Sequence, residues 1–128
     1  MHESRIRAVD HVHIDGQQAS VEQIRWFYEE VLLLDEIVRS DRPSDLLCFR
    51  SERIELRIRL MENPNIDGVA VRVTIAVDSL EQVEEMLHDQ KMLVEKISGL
   101  KWTDIRLHTL DPSGNRVELI NRSHWGPF

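Results

Sequence analysis

The strongest constraint on what this chain folds into is that it repeats itself. Ser20-Val21-Glu22-Gln23-Ile24 returns as Ser79-Leu80-Glu81-Gln82-Val83, at an offset of 59 residues. Arg53-Ile54-Glu55-Leu56 returns as Arg116-Val117-Glu118-Leu119, at an offset of 63. Self-similarity at such a period is the mark of a chain built from copies of one supersecondary unit. The four-residue difference between the offsets fits a longer first-half loop at Asp15 to Ala19. One copy, with about 60 residues and four short strands, leaves a sheet face uncovered. Two copies can set their sheets side by side and enclose a cup, and equivalent positions of the two halves then converge on one site.

The hydrophobic patterning gives both halves the same order of elements. Arg7 to Ile14 reads as a strand, with Val9, His11 and His13 on one face and Asp10, Val12 and Ile14 on the other. Asp15-Gly16 breaks it. Ser20 starts a helix with Gln23 as capping-box partner, and Ile24, Phe27, Val31 and Leu34 follow at helical spacing. Glu36 to Ser40 is a short strand, Arg42 to Asp45 a turn, and Leu46 to Arg50 with Arg53 to Leu60 a hairpin. Asn63 to Gly68 is the linker. The order then recurs: strand Val71 to Val77, helix Ser79 to Gln90, strands Leu93 to Ser98, Asp104 to Leu110 and Arg116 to Asn121. Asp111-Pro112-Ser113-Gly114 has the type I turn preference, with Pro second and Gly fourth. The fold class is α+β, two βαβββ modules with mixed sheets forming a cup. Residues 1–128 make one domain, with module one at about 6–62, the linker at 63–68, module two at about 69–122 and an aromatic tail at 123–128.

Composition narrows the partners. The chain has 128 residues, 41% hydrophobic and 30% charged, enough to bury a core. A formal charge of -7 is the wrong sign for non-specific nucleic-acid binding. The single cysteine, Cys48, excludes an intrachain disulfide and a Cys-rich zinc site, and reads as an apolar filler. No apolar run approaches a membrane span, and Met1 to Arg5 lacks the apolar stretch of a signal peptide, so the expected compartment is the cytoplasm.

Three segments resemble the vicinal oxygen chelate superfamily, which holds glyoxalase I, the bleomycin- and fosfomycin-resistance proteins, methylmalonyl-CoA epimerase and the extradiol dioxygenases. Val9-Asp10-His11-Val12 is similar to the family's first strand. Arg25-Trp26-Phe27-Tyr28-Glu29-Glu30-Val31-Leu32 is similar to its first helix. Asp111 to Leu119, with the pattern D-P-x-G-N followed by an apolar residue and Glu, is similar to its ending and is the most specific of the three. The resemblance runs from Val9 to Asn121 and implies the paired βαβββ fold.

Members that use a metal draw on one position in the first strand and one in the last strand of each module. By resemblance these are His11, Glu55 and Glu118, with Thr74 at the fourth position, where His is usual. A hydroxyl is a poor divalent-metal ligand beside imidazole or carboxylate. The resemblance therefore implies a divalent metal (Zn, Ni, Mn, Mg or Fe, not distinguished) held by His11, Glu55 and Glu118 less tightly than by a full set, or no cofactor. Glu55 and Glu118 are the candidate catalytic groups for proton transfer, and their alternative is pairing with arginines on neighbouring strands. His13, Arg57, Thr74, Arg106 and His108 are the candidate substrate-binding residues. Arg57 and Arg106 suit a carboxylate or phosphate, and the alternative for Arg57 is an ion pair with Glu55 or Glu118. Two functions follow from the resemblance. One is a glyoxalase-type lyase or isomerase acting on a small, anionic molecule with metal assistance. The other is a metal-free module that sequesters a small molecule. The expected partners are that small molecule and a second copy in a homodimer, with neither nucleic acid nor membrane.

Overall fold

A computed structural model describes residues 11–38, 41–52, 54–101 and 104–122. The expectations that fall on Val9, Asp10, Arg53 and the tail 123–128 lie outside the described residues. Two four-stranded mixed sheets are present. The first holds β1 (His11–Gln17), β2 (Asp35–Glu36), β3 (Leu46–Ser51) and β4 (Ile54–Met61) in the order β1-β4-β3-β2. The second holds β5 (Val71–Val77), β6 (Val94–Ser98), β7 (Ile105–Leu110) and β8 (Arg116–Asn121) in the order β5-β8-β7-β6. The first and last strands of each half pair in parallel, and the remaining pairs are antiparallel. Helix α1 (Val21–Arg25) and helix α2 (Leu80–Asp89) connect the first two strands of each half. This is the paired βαβββ order expected from the repeat.

The strands of each sheet turn one side chain in two toward the helices. On that side Ile14, Leu56, Ile58, Phe49 and Leu47 pack with Ile24, Phe27 and Val31 in one apolar cluster that also takes in Val117, Leu119, Leu107 and Leu87 of the second half. The shared core binds the halves together, and Tyr28 fastens them. Its hydroxyl, wholly buried, donates to Asp111 Oδ2 at 2.6 Å. Asp111 sits in the β7–β8 turn and accepts three more hydrogen bonds. Ser113 N and Asn115 N reach Oδ1, both at 2.9 Å, and Asn115 Nδ2 reaches Oδ2 at 3.1 Å. The turn is then tied to β1 by Asn115 Nδ2 to the Asp15 carbonyl (2.7 Å) and Gln17 N to Ser113 Oγ (2.8 Å). Two of the segments that carry the family resemblance therefore meet at one buried hydrogen bond. The turn itself closes with Gly114 N donating to the Asp111 carbonyl, the type I bond its sequence predicts.

Three local expectations are corrected. Asp15-Gly16 does not end the first strand, which runs on to Gln17 with Gly16 opposite Leu60. Gly16 is there because the core approaches so closely: a Cβ would stand 2.7 Å from Ile58 Cγ2. Ser20 makes no side-chain cap, whereas its repeat partner Ser79 accepts from Gln82 N at 3.2 Å. A 3-10 turn over Gln18–Ser20 leads into α1, so Ser20 leaves the extended conformation that a capping side chain needs. The second strand is Asp35–Glu36, so of the expected span 36–40 it keeps only Glu36; the last two residues of that span lie outside the described residues.

The chain leaves α1 through a wider π turn, Trp26–Val31, and closes it with Leu34 N bonded to the Tyr28 carbonyl. This requires Leu33 at φ 60, the left-handed conformation that glycine adopts without penalty at a helix end. Leu33 is 79% exposed, so its side chain contributes little packing. Leu33→Gly is expected to raise stability by about 0.5–1 kcal/mol. Urea unfolding with an unchanged or lower midpoint would contradict this. Among the described residues, no helix is long and apolar enough to cross a membrane.

Candidate functional site

The faces turned away from the helices carry the polar residues, and the same cross-strand triplet appears in both sheets. In the first, Glu55 on β4 lies between His11 on β1 and Arg50 on β3. In the second, Glu118 on β8 lies between Thr74 on β5 and His108 on β7. The register thus bears out the repeat arithmetic, with Thr74 standing where the first module has His11.

Each glutamate is engaged by donors of its own sheet. Glu55 is buried, with only 3% of its side chain exposed, and accepts from Arg57 Nε; Arg50 approaches its other oxygen at 4.0 Å. Two residues apart on one strand, Glu55 and Arg57 share a face, and this sets their pairing. His11 and His13 share that face too, edge to face with centroids 5.0 Å apart. Glu118 accepts from Thr74 Oγ1 at 3.0 Å, Arg106 at 3.3 Å and His108 Nε2 at 2.9 Å. Arg116 faces Nδ1 of His108 at 3.4 Å. A guanidinium only donates, so this arrangement assigns the ring proton to Nε2, from which it is donated to Glu118. Burial pushes the Glu118 carboxyl up, but the hydrogen bonds from His108, Thr74 and Arg106 outweigh it and hold the group below its ordinary value.

Beside Glu118 lies a hollow of about 480 Å³ lined by Ile97, Leu100, Asp104, Arg106 and His108. Leu100 is fully exposed on its rim. A hollow of about 590 Å³ lies on the helix-bearing side, among Val12, Phe49, Leu56, Val73, Ile75 and Val83. It is the larger, and Thr74 is among its lining residues, where Arg122 is the one basic side chain among the described residues.

The expected site residues fall into two groups. His11, His13, Glu55 and Arg57 share the first sheet, and Thr74, Arg106, His108 and Glu118 the second. Among the described residues, no three His, Cys, Asp or Glu side chains come together as a group able to hold a metal. The donor chemistry is a poor fit for a divalent ion as well. Oxygens that would coordinate it already accept from Arg57 or from Arg106, His108 and Thr74, and a hydroxyl fills the fourth position. Two residues of these faces escaped the sequence reading, Arg50 and Arg116. Arg50 was recoverable by pairing residues outward from the Ser51–Ile54 turn, which sets it opposite Glu55. Arg116 has no such signal beyond its alternation with Glu118.

No family model matches the sequence, and no curated protein does. Solved structures do match in fold. A protein from Bacillus anthracis assigned to the glyoxalase family superposes with a TM-score of 0.74 at 24% identity, over 92% of this chain and 97% of the other. A fosfomycin resistance protein from Listeria monocytogenes gives a TM-score of 0.73 at 12% identity, over 90% and 91%. A lactoylglutathione lyase from Agrobacterium tumefaciens gives 0.67 at 16% identity, over 97% and 100%. The chain therefore has the same glyoxalase-like fold as these proteins.

Proposed function

We propose that this protein binds a small anionic molecule on the polar faces of its sheets, without a metal. One observation carries the reading: Arg106 and His108 stand together at a hollow with an apolar rim, in a chain whose overall charge is -7. A guanidinium and an imidazole N–H are donors matched to a carboxylate or phosphate, and Ile97 and Leu100 offer surface to an apolar body. His13 and Arg57 are the candidate contacts on the first sheet, and Thr74 donates to Glu118. The proton-transfer reading draws less support. A general base works best with a pKa near the working pH, and the donors around Glu118 move it the other way. Glu55 is buried and accepts from Arg57, so its carboxylate is already engaged. The structural neighbours include a lyase and a resistance protein, and the fold by itself does not choose between them.

The two half-faces lie on separate sheets, and β1 and β5, which carry His11 and Thr74, each stand at a sheet edge. Exposed edges need cover. Pairing β1 of one copy with β5 of another would join a first-module face to a second-module face, so we propose a homodimer. The test is calorimetry with small carboxylates and phosphates in the presence of chelator, together with light scattering. The expected mass is twice the 15.0 kDa of the chain. Arg106→Ala is expected to weaken binding about tenfold, the loss of one charge-assisted hydrogen bond. Binding that needs added metal, or that ignores Arg106→Ala, would overturn the reading.

A further inference from the structure

We infer that Glu55 and Glu118 are resident counter-ions, which hold the basic side chains of the two faces in place until a guest arrives, rather than ligands of a divalent ion. The inference rests on the symmetry of the two sheets. At the two positions related by the repeat, the same residue type meets the same kind of partner by different means. In one sheet the partners are Arg57 on the same strand and Arg50 on the next. In the other they are Arg106 and His108, both from the next strand, with the Thr74 hydroxyl opposite. Thr74 supports this role directly: a hydroxyl is a weak metal ligand but a good donor to a carboxylate, and it spends its proton on Glu118. Each glutamate is thus compensated by the protein's own groups. A divalent ion would have to displace two guanidinium contacts and an imidazole N–H, with no fourth strong ligand to compensate.

A consequence follows for the guest. Where Glu118 occupies the donors of Arg106 and His108, an incoming anion competes with it for them. Glu118 therefore lowers affinity, and it favours guests with enough oxygens to share the donors or displace the carboxylate. This part rests on the anion-binding reading above.

The experiment titrates inorganic phosphate and Ni²⁺ separately into wild type, Glu118→Gln and Arg106→Ala, followed by calorimetry. Gln keeps the shape of Glu and removes the charge. Phosphate is expected to bind Glu118→Gln about tenfold more tightly than wild type, and Ni²⁺ is expected to show no stoichiometric binding to either. Stoichiometric Ni²⁺ binding to wild type that is lost in Glu118→Gln would overturn the inference. Phosphate affinity unchanged in Glu118→Gln but reduced in Arg106→Ala would also overturn it, while leaving the anion-binding reading intact. If phosphate binds none of the three, the anion-binding reading falls, and thermal unfolding of Glu118→Gln, His108→Gln and the double variant decides the counter-ion role. A double variant that loses less than the two single losses combined supports the pairing, and simple additivity removes it.

Discussion

Asp111→Ala is expected to destabilise the protein by about 4 kcal/mol, the cost of several buried donors left without an acceptor. Asp111 is 5% exposed and accepts from four donors, the Tyr28 hydroxyl, Ser113 N, Asn115 N and Asn115 Nδ2. Tyr28 and Asn115 are themselves buried, so water does not replace the lost acceptor at either. For a domain of this size the loss corresponds to a fall in melting temperature of about 15 °C. Tyr28→Phe removes one donor and leaves the other three paired, so about 1–2 kcal/mol is expected there. The pH dependence has a definite sign. Burial pushes the Asp111 carboxyl up, the bonds from Tyr28, Asn115 and Ser113 pull it back, and burial wins. A raised folded value means that this group's titration favours the fold most below its ordinary value of 3.8, and the contribution declines as pH rises through the raised one. Urea unfolding of the two variants checks the ranking. A loss below about 1 kcal/mol for Asp111→Ala would mean that the turn does not fasten the halves.

The same residues show how far the sequence could be read. The order of elements along the chain was legible because the period-2 pattern of Ile54, Leu56, Ile58 and Leu60 and the repeated Arg-apolar-Glu-Leu segment both depend on local alternation. The D-P-S-G turn was legible because its residues act on their own backbone. Gly16 was misread for the opposite reason. Its meaning lies in Ile58, forty-two positions away, and a glycine kept for close approach looks in sequence like a glycine that ends a strand. The capping box at Ser20 failed because caps depend on the conformation of the cap residue, which the preceding turn determines. At the candidate site, residue faces were legible and residue partners only in part. The pairing of Glu55 with Arg57 was among the alternatives, since residues two apart on one strand share a face. That Glu118 would be enclosed by Thr74, Arg106 and His108 depends on the register of three strands, to which no single segment holds the key.

Gly16→Val is expected to cost about 3 kcal/mol, at the upper end of overpacking penalties. The new Cβ would stand 2.7 Å from Ile58 Cγ2 and 3.2 Å from Ile24 Cδ1, and both isoleucines are wholly buried. A β-branched side chain in a strand has little freedom at χ1, so Ile58 cannot turn aside without disturbing Phe49 and Leu47 beside it. Backbone preference does not contribute to the loss. Gly16 is a strand residue paired with Leu60, where valine is intrinsically favoured, so whatever is lost is steric. The double variant separates the causes. Ile58→Ala alone should cost about 3 kcal/mol through its cavity. Combined with Gly16→Val it should cost clearly less than the sum, because the valine moves into the space that Ile58 vacates. Additive losses would place the damage elsewhere, at Ser113 Oγ, 3.5 Å from the same Cβ and bonded to Gln17 N. The outcome bears on function, since Gly16 and His13 lie on one strand and β1 holds the first-module face against β4. A strand forced outward at Gly16 shifts His11 and His13 relative to Glu55 and Arg57. If Gly16→Val folds as stably as wild type, the core does not hold that register, and the repeated triplet on the polar faces has to be set by the hydrogen bonds of the strands alone.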